Sequence, residues 1–203
     1  METLIDTNAT QGRVLQAALT LFSQQGYFAT SMQQLQKEAG VSIGSIYHHF
    51  GSKEAIAQAL YDTLLARMNT AVDERIAQHK DHHGRFRALI EMLFEMTEQD
   101  PMAMGFILNA RHREFLPTSP PICSSRPFQQ MKQLVEQAMA EGMIKPIEPW
   151  VAAAQMFGGA LRLIHLHLDD VLGQPLPTLT DETFRAAWNG LAYNPLQREK
   201  ICG

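Results

Sequence analysis

The segment Thr30–Lys53, TSMQQLQKEAGVSIGSIYHHFGSK, constrains the chain more than any other stretch. Its spacing predicts a helix, a tight turn, a second short helix and the start of a third. Ser31 suits an N-cap, because a serine hydroxyl accepts a hydrogen bond from one of the otherwise unpaired first N–H groups of a helix. Met32, Leu35 and Ala39 recur behind it at helical spacing. Gly40 stands where a helix ends in a left-handed residue, a conformation glycine reaches without a Cβ clash. Val41 is expected to bury itself and Ser42 to cap the next helix, in which Ile46 and Phe50 point into a small core. Ser42, Ser45, His48 and His49 are left on other faces, with Tyr47 beside them. A short helix with one buried side and a side of hydroxyl, imidazole and phenol groups can enter the major groove of DNA. The same pattern also fits a plain helical corner, and for Tyr47 and His49 packing between helices is the competing reading.

Charge does not favour nucleic acid. The chain carries a formal net charge of −4. Within residues 1–60 the basic residues are Arg13, Lys37 and Lys53, against Glu2, Asp6, Glu38 and Glu54. A DNA-binding head without a basic patch must use helix N-termini, hydroxyls and neutral histidine on the phosphates. It should then show a shallow salt dependence, because few counterions are released per subunit.

The rest of the chain reads as helix. Val14, Ala17, Ala18, Leu21 and Phe22 form an apolar stripe over about 11–25, closed by Gly26. Ser52 caps a long fourth helix whose stripe runs through Ile56, Leu60, Leu64 and Met68. The run KDHHG at 80–84 interrupts the pattern, and His79, His82 and His83 are expected to be solvated linker histidines; no spacing supports a metal site. Helices follow at about 86–98, from Pro101, at 128–141, at 148–172 and from Thr180 or Asp181. They are separated by the proline-rich loops LPTSPPICSSRPF and GQPLPTLT. With 45% hydrophobic and 19% charged residues the chain is an ordinary folded, all-α protein of about nine helices. Met1–Ala9 shows no signal peptide, and Val151–Leu168 is too interrupted by Gln155, Arg162, His165 and His167 to span a membrane. Cys123 and Cys202 lie far apart and read as thiols of a reducing cytoplasm.

AGVSIGSIYHHFGSKEAI (39–56), together with VLQAALTLFSQQGYFATS (14–31), resembles the signature of TetR-type bacterial transcriptional regulators over about residues 11–64. Gln36 departs from the alanine usual there, which suggests a slightly splayed helix pair. The resemblance implies a flexible tail (1–9), a three-helix head with a helix-turn-helix (10–53), a connecting helix (54–80), a ligand-binding and dimerisation domain (81–194) and a second tail (195–203). DNA contacts are then expected at Gln33, Ser42, Ile43, Gly44, Ser45, Tyr47, His48, His49 and Lys53. Gly44 would allow close backbone approach, Ile43 would meet a thymine methyl, and Lys53 a phosphate.

The resemblance further implies a homodimer through the eighth and ninth helices, reading a pseudo-palindrome. Ala152, Ala153, Ala154, Gly158, Gly159 and Ala160 in the eighth, with Phe184 and Trp188 in the ninth, suit such an interface or tight packing within the chain. A small, mainly apolar effector is expected among the methionine-rich helices, where flexible thioethers line adaptable pockets. The candidate lining is Phe94, Met102, Phe106, Met131 and Met156, with Asn109, Arg162 or His165 to orient the ligand. Arg111, His112 and His167 are further embedded polar residues. No cofactor is implied. A small helical enzyme or a ligand carrier is the alternative class; Arg111–Glu114 and the pair His165/His167 are its best support, without a nucleophile–base context.

Overall fold

The computed structural model describes residues 5–109, 112–117 and 121–193, with backbone only at 112 and 113. Arg111, the side chains of His112 and Arg113, and Cys202 lie outside the described residues. The helices are α1 (Thr10–Gln25), α2 (Met32–Ala39), α3 (Ile43–Phe50), α4 (Lys53–Gln78), α5 (His82–Gln99) and α6 (Pro101–Asn109). After a single helical turn at His112–Phe115 come α7 (Arg126–Ala140), α8 (Pro149–Leu168) and α9 (Thr180–Leu191). Among the described residues the sole strand-like pairing is one bridge between Ile144 and Ala192. The chain is all-α, as the periodicity predicts. None of the described helices is long and apolar enough to cross a membrane.

Two compact units share the chain: Met1–Ala71 with Met96–Pro127, and Val72–Glu95 with Phe128–Gly203. In the first unit α1 packs on α2, α3 and α6. Val14, Ala18, Leu19, Leu35, Ile46, Ile56 and Leu60 are fully buried there. A fully buried Leu or Ile contributes ~1.5–3 kcal/mol, so this small set suffices to hold three short helices together. Leu21, Val41 and Phe50, expected inside, are only half-buried. Ile5, in the leading segment read as a tail, is buried. Gly12 explains how that segment lies so close, since a Cβ there would fall 1.6 Å from the carbonyl oxygen of Asp6.

Local capping chemistry sets the ends of α2. Ser31 Oγ accepts the Gln34 N–H (3.2 Å) while Gln34 Oε1 accepts the Ser31 N–H (2.8 Å), a reciprocal box. Ser31→Ala is expected to destabilise the chain by ~1 kcal/mol. Thermal denaturation of the purified variant measures it, and an unchanged midpoint would count against the box.

In the second unit α8 packs against α9. Phe86 is fully buried, 6.0 Å from the Phe157 ring and 6.1 Å from Trp188. The histidine-rich run is the start of a helix rather than a linker, and of its histidines only His82 is buried. Asp81 Oδ1 accepts the Gly84 N–H at 2.8 Å and so starts α5 at His82, four residues before the sequence stripe begins. His82 is buried, with Nε2 3.1 Å from Glu141, and His83 lies edge-on to Phe184 at 4.6 Å and Trp188 at 5.0 Å. Of the two, His82 is drawn into the interior, while His83 stays exposed with one edge of its ring on the aromatic pair. Among the described residues no cluster of His, Cys, Asp or Glu could hold a metal ion.

The N–H of Gly84 on its carboxylate is the main cause holding Asp81 below the usual aspartate range. The folded pKa lies under the unfolded one, so the stabilisation is complete above the unfolded value and disappears as pH falls through the folded value. Asp81→Ala should therefore lower the melting temperature at neutral pH, and the difference from wild type should close on acidification below about pH 4. A gap that persists unchanged in acid would refute the cap.

Candidate nucleic-acid interface

The turn between α2 and α3 is built by residues whose backbone demands can be read directly. Gly40 ends α2 in the left-handed region at φ 63° and ψ 37°, with its N–H directed to the carbonyls of Gln36 and Lys37. Ser42 Oγ accepts the Ser45 N–H at 3.1 Å and opens α3. Gly51, at φ 76°, closes it. Ile46 is completely buried and pins one side of α3 to the head. The other side is open: Ser42, Gly44, Tyr47, His48 and His49 are exposed, as is Gln33 on α2, while Ile43 and Ser45 are half-buried. Tyr47 is 51% exposed, which removes it from packing between helices and leaves its phenol on the surface. The His48 and His49 rings meet edge to face at 5.3 Å. A Cβ added at Gly44 would meet nothing closer than Ser42 Oγ at 4.0 Å, so the start of α3 offers bare backbone to an approaching surface.

Lys53 takes a different position from a simple phosphate contact. Its ammonium donates to the carbonyls of Tyr27 (2.9 Å) and Thr30 (2.8 Å) and sits 4.2 Å from the centre of the Tyr27 ring. The first residue of α4 thereby holds the α1–α2 turn, whose own bonds include Thr30 Oγ1 to the Gly26 carbonyl at 2.9 Å. Burial, with the Glu54 carboxylate nearby, pushes the Tyr27 phenol up to about 12. Tyr27 stacks on Phe115 at 4.5 Å and 15°, and Phe22 on Phe106 at 6.5 Å. The head is thus tied through aromatic rings to α6 and the turn behind it. Phe28, 69% exposed beside them, belongs to no expected site; its place after Gly26–Tyr27 is the sole sequence signal for it.

The candidate ligand residues are divided between the two units. Met102, half-buried, Phe106, buried, and Asn109, exposed, belong to the first unit. Phe94, Met131 and Met156, all buried, belong to the second with Arg162 and His165. Arg162 is exposed; His165 is half-buried with Nδ1 2.6 Å from the Leu161 carbonyl, a bond within its own helix. Phe106 lines a cleft of about 390 Å³ with Phe22, Tyr27, Phe28 and Phe115. A cavity of about 500 Å³ lies along α4 against the Ser124–Pro127 segment, and none of the eight candidate residues lines it.

Residues 14–60 match the profile described as bacterial regulatory proteins, tetR family. The uncharacterized HTH-type transcriptional regulator YhgD of Bacillus subtilis is 28% identical over 165 residues, 74% of this chain and 80% of that protein. The HTH-type transcriptional repressor KstR2 of Rhodococcus jostii is 30% identical over 103 residues, 49% of this chain and 50% of its own length. Among solved structures, the transcriptional regulator FadR from Bacillus subtilis, in complex with stearoyl-CoA, shares the fold with a TM-score of 0.74 at 18% identity, over 88% of this chain and 97% of that one.

Proposed function

We propose that this chain, whose residues 14–60 match the tetR family of bacterial regulatory proteins, represses transcription as a cytoplasmic homodimer on a pseudo-palindromic operator and leaves it on binding a small, largely apolar effector. The exposed face of α3 carries the DNA part of this reading. Ser42, Gly44, Tyr47, His48 and His49 present two hydroxyls, two imidazoles and bare backbone, and Gln33 adds an amide from α2. With no Arg or Asn on α3 for the commonest bidentate base contacts, specificity leans on methyl contacts, water and DNA shape. Lys53 contributes a phosphate contact through the ammonium proton its two carbonyl bonds leave over.

Gly158 and Gly159 carry the dimer part. A glycine inside a helix is destabilising by ~0.5–1 kcal/mol relative to alanine. Two adjacent ones in α8 therefore need a reason, and packing within the chain supplies none: a Cβ at either would have no neighbour within 4 Å. Val151, Ala154, Gln155 and Gly159 are exposed at helical spacing along the same helix. A second copy approaching this stripe closely accounts for all of them.

The effector reading rests on the methionine-rich helices and on the fold shared with a protein solved holding stearoyl-CoA. A ligand that prefers the state not bound to DNA shifts the population toward it. The device is α4, which begins at the Lys53 clamp and runs on to Gln78. Moving it alters the separation of two recognition helices that must engage half-sites ~34–36 Å apart. Catalysis has no part in this reading.

Gly159→Leu tests the dimer directly. The substitution raises helix propensity and meets no intrachain clash, so the variant should fold, sediment as a monomer at micromolar concentration and lose most of the affinity for a two-half-site operator. A variant that remains dimeric with unchanged operator affinity would overturn the interface.

A further inference from the structure

We propose that the imidazoles of His48 and His49 form a proton-linked phosphate contact: docking on the operator takes up about one proton per head, and the chain grips DNA more tightly in mildly acidic solution. The proposal rests on the operator reading and names a regulation of that same face. Its starting point is a shortage of charge. Residues 1–60 hold Arg13, Lys37 and Lys53 against four acids, although affinity for DNA comes largely from neutralised phosphates. Lys53 directs two of its ammonium protons to the Tyr27 and Thr30 carbonyls, Arg13 reaches the Thr10 hydroxyl at 3.5 Å, and Lys37 lies in the last turn of α2. The recognition helix itself, IGSIYHHF, has no Asp, Glu, Lys or Arg. Its ionisable side chains are Tyr47, His48 and His49, all exposed. A phenol gains only negative charge, and imidazole is the side chain that ordinarily turns positive between about pH 8 and 5. His48 and His49 are the sole histidines before position 79, so any side-chain proton the head ordinarily gains in that interval falls on this face.

The two rings act as a pair. Both lie in the last turn of α3, and they meet edge to face with centroids 5.3 Å apart. Two imidazolium charges at that spacing repel, so the pair takes about one proton. A backbone phosphate laid against the rings favours the charged form, and an imidazolium N–H to a phosphate oxygen is of the stronger, charge-assisted kind. The surroundings stay constant while this happens. α3 packs on α1 and α2, whose charged residues are Arg13, Lys37 and Glu38. Lys53 and Glu54 follow at the start of α4, the first turned to its two carbonyls and the second beside the Tyr27 phenol. Guanidinium, ammonium and carboxylate groups ordinarily hold their charge across the interval in which imidazole changes. A complex that binds more protons than the free chain gains from acid, so affinity climbs as pH falls.

Binding of the full chain to a duplex enriched from a randomised pool, measured at about pH 6 and about pH 8 over a series of salt concentrations, tests the link. Affinity of the dimer should rise at least about tenfold on acidification. The salt slope should steepen by about two, since each head neutralises one further phosphate. The double variant His48→Gln with His49→Gln keeps polar groups at two exposed positions but cannot take the proton. First shown to melt like wild type, it should bind with one affinity at both pH values. Affinity that ignores pH, a rise that survives the double substitution, or a rise with an unchanged slope would overturn the proposal. The operator reading fails separately: a folded chain that enriches no duplex at either pH loses both, whereas an enriched palindrome held equally at both keeps the operator and ends the proton link.

Discussion

Gly44→Glu is expected to weaken operator binding at least about 100-fold while leaving the fold as stable as before. The two halves of this expectation have different physical origins. Stability is spared because the position is open, with Ser42 Oγ at 4.0 Å the nearest atom to an added Cβ. Glycine in a helix is unfavourable, and an acid in the first turn of α3 faces the positive end of the helix dipole, so the substitution should be neutral or slightly stabilising. DNA affinity is lost because bulk and a negative charge now stand where backbone would otherwise approach the groove. Like charges brought together at an interface cost several kcal/mol. A variant that melts like wild type and still binds would mean that this face of α3 does not enter the groove.

Lys53→Met should destabilise the chain by about 2–3 kcal/mol. Methionine keeps much of the apolar stem but removes both hydrogen bonds, leaving the Tyr27 and Thr30 carbonyls without their cation, and ends its contact with the Tyr27 ring. The α1–α2 turn loses its anchor to α4, and α2 with α3 shifts against it. Operator binding should fall together with stability. A residue acting on phosphate alone behaves otherwise: affinity drops uniformly, the salt slope falls by about one, and the melting temperature stays put. Equilibrium denaturation beside salt-dependent binding of the same variant separates the two, and a pure salt-slope effect would refute the clamp.

That double role marks where reading the sequence stops. The caps at Ser31, Ser42 and Ser52 and the left-handed glycine at 40 are legible because each acts within three or four residues. The helix-turn-helix could be laid out from them, and the resemblance to TetR-type regulators then supplied a function that spacing alone left open. The Lys53 bonds span 26 and 23 residues, and no local pattern announces them. The same holds for His82 and His83, polar in sequence but held by Glu141, Phe184 and Trp188. Asp81 did carry a local signal, an acid three residues before Gly84, overridden by the apparent break in apolar period.

The effector site was least legible. Methionine and phenylalanine content reports burial and says nothing of where a cavity remains: Phe94 and Met156 are fully buried. Lying in an apolar stretch does not by itself bury a polar side chain: Asn109 and Arg162 are exposed. The glycine pair at 158–159 is ambiguous in sequence for the same reason: the open space beside it is visible only in three dimensions.

Selection of bound sequences from a randomised duplex pool, with the winners retested across salt, bears most directly on the central claim. The account predicts an enriched palindrome bound by the dimer, with half-sites about one helical turn or a multiple apart. It also predicts a shallow salt slope, since residues 1–60 hold just Arg13, Lys37 and Lys53 against four acids. A folded dimer that enriches no sequence would contradict the account, because the exposed face of α3 would then have no groove to read.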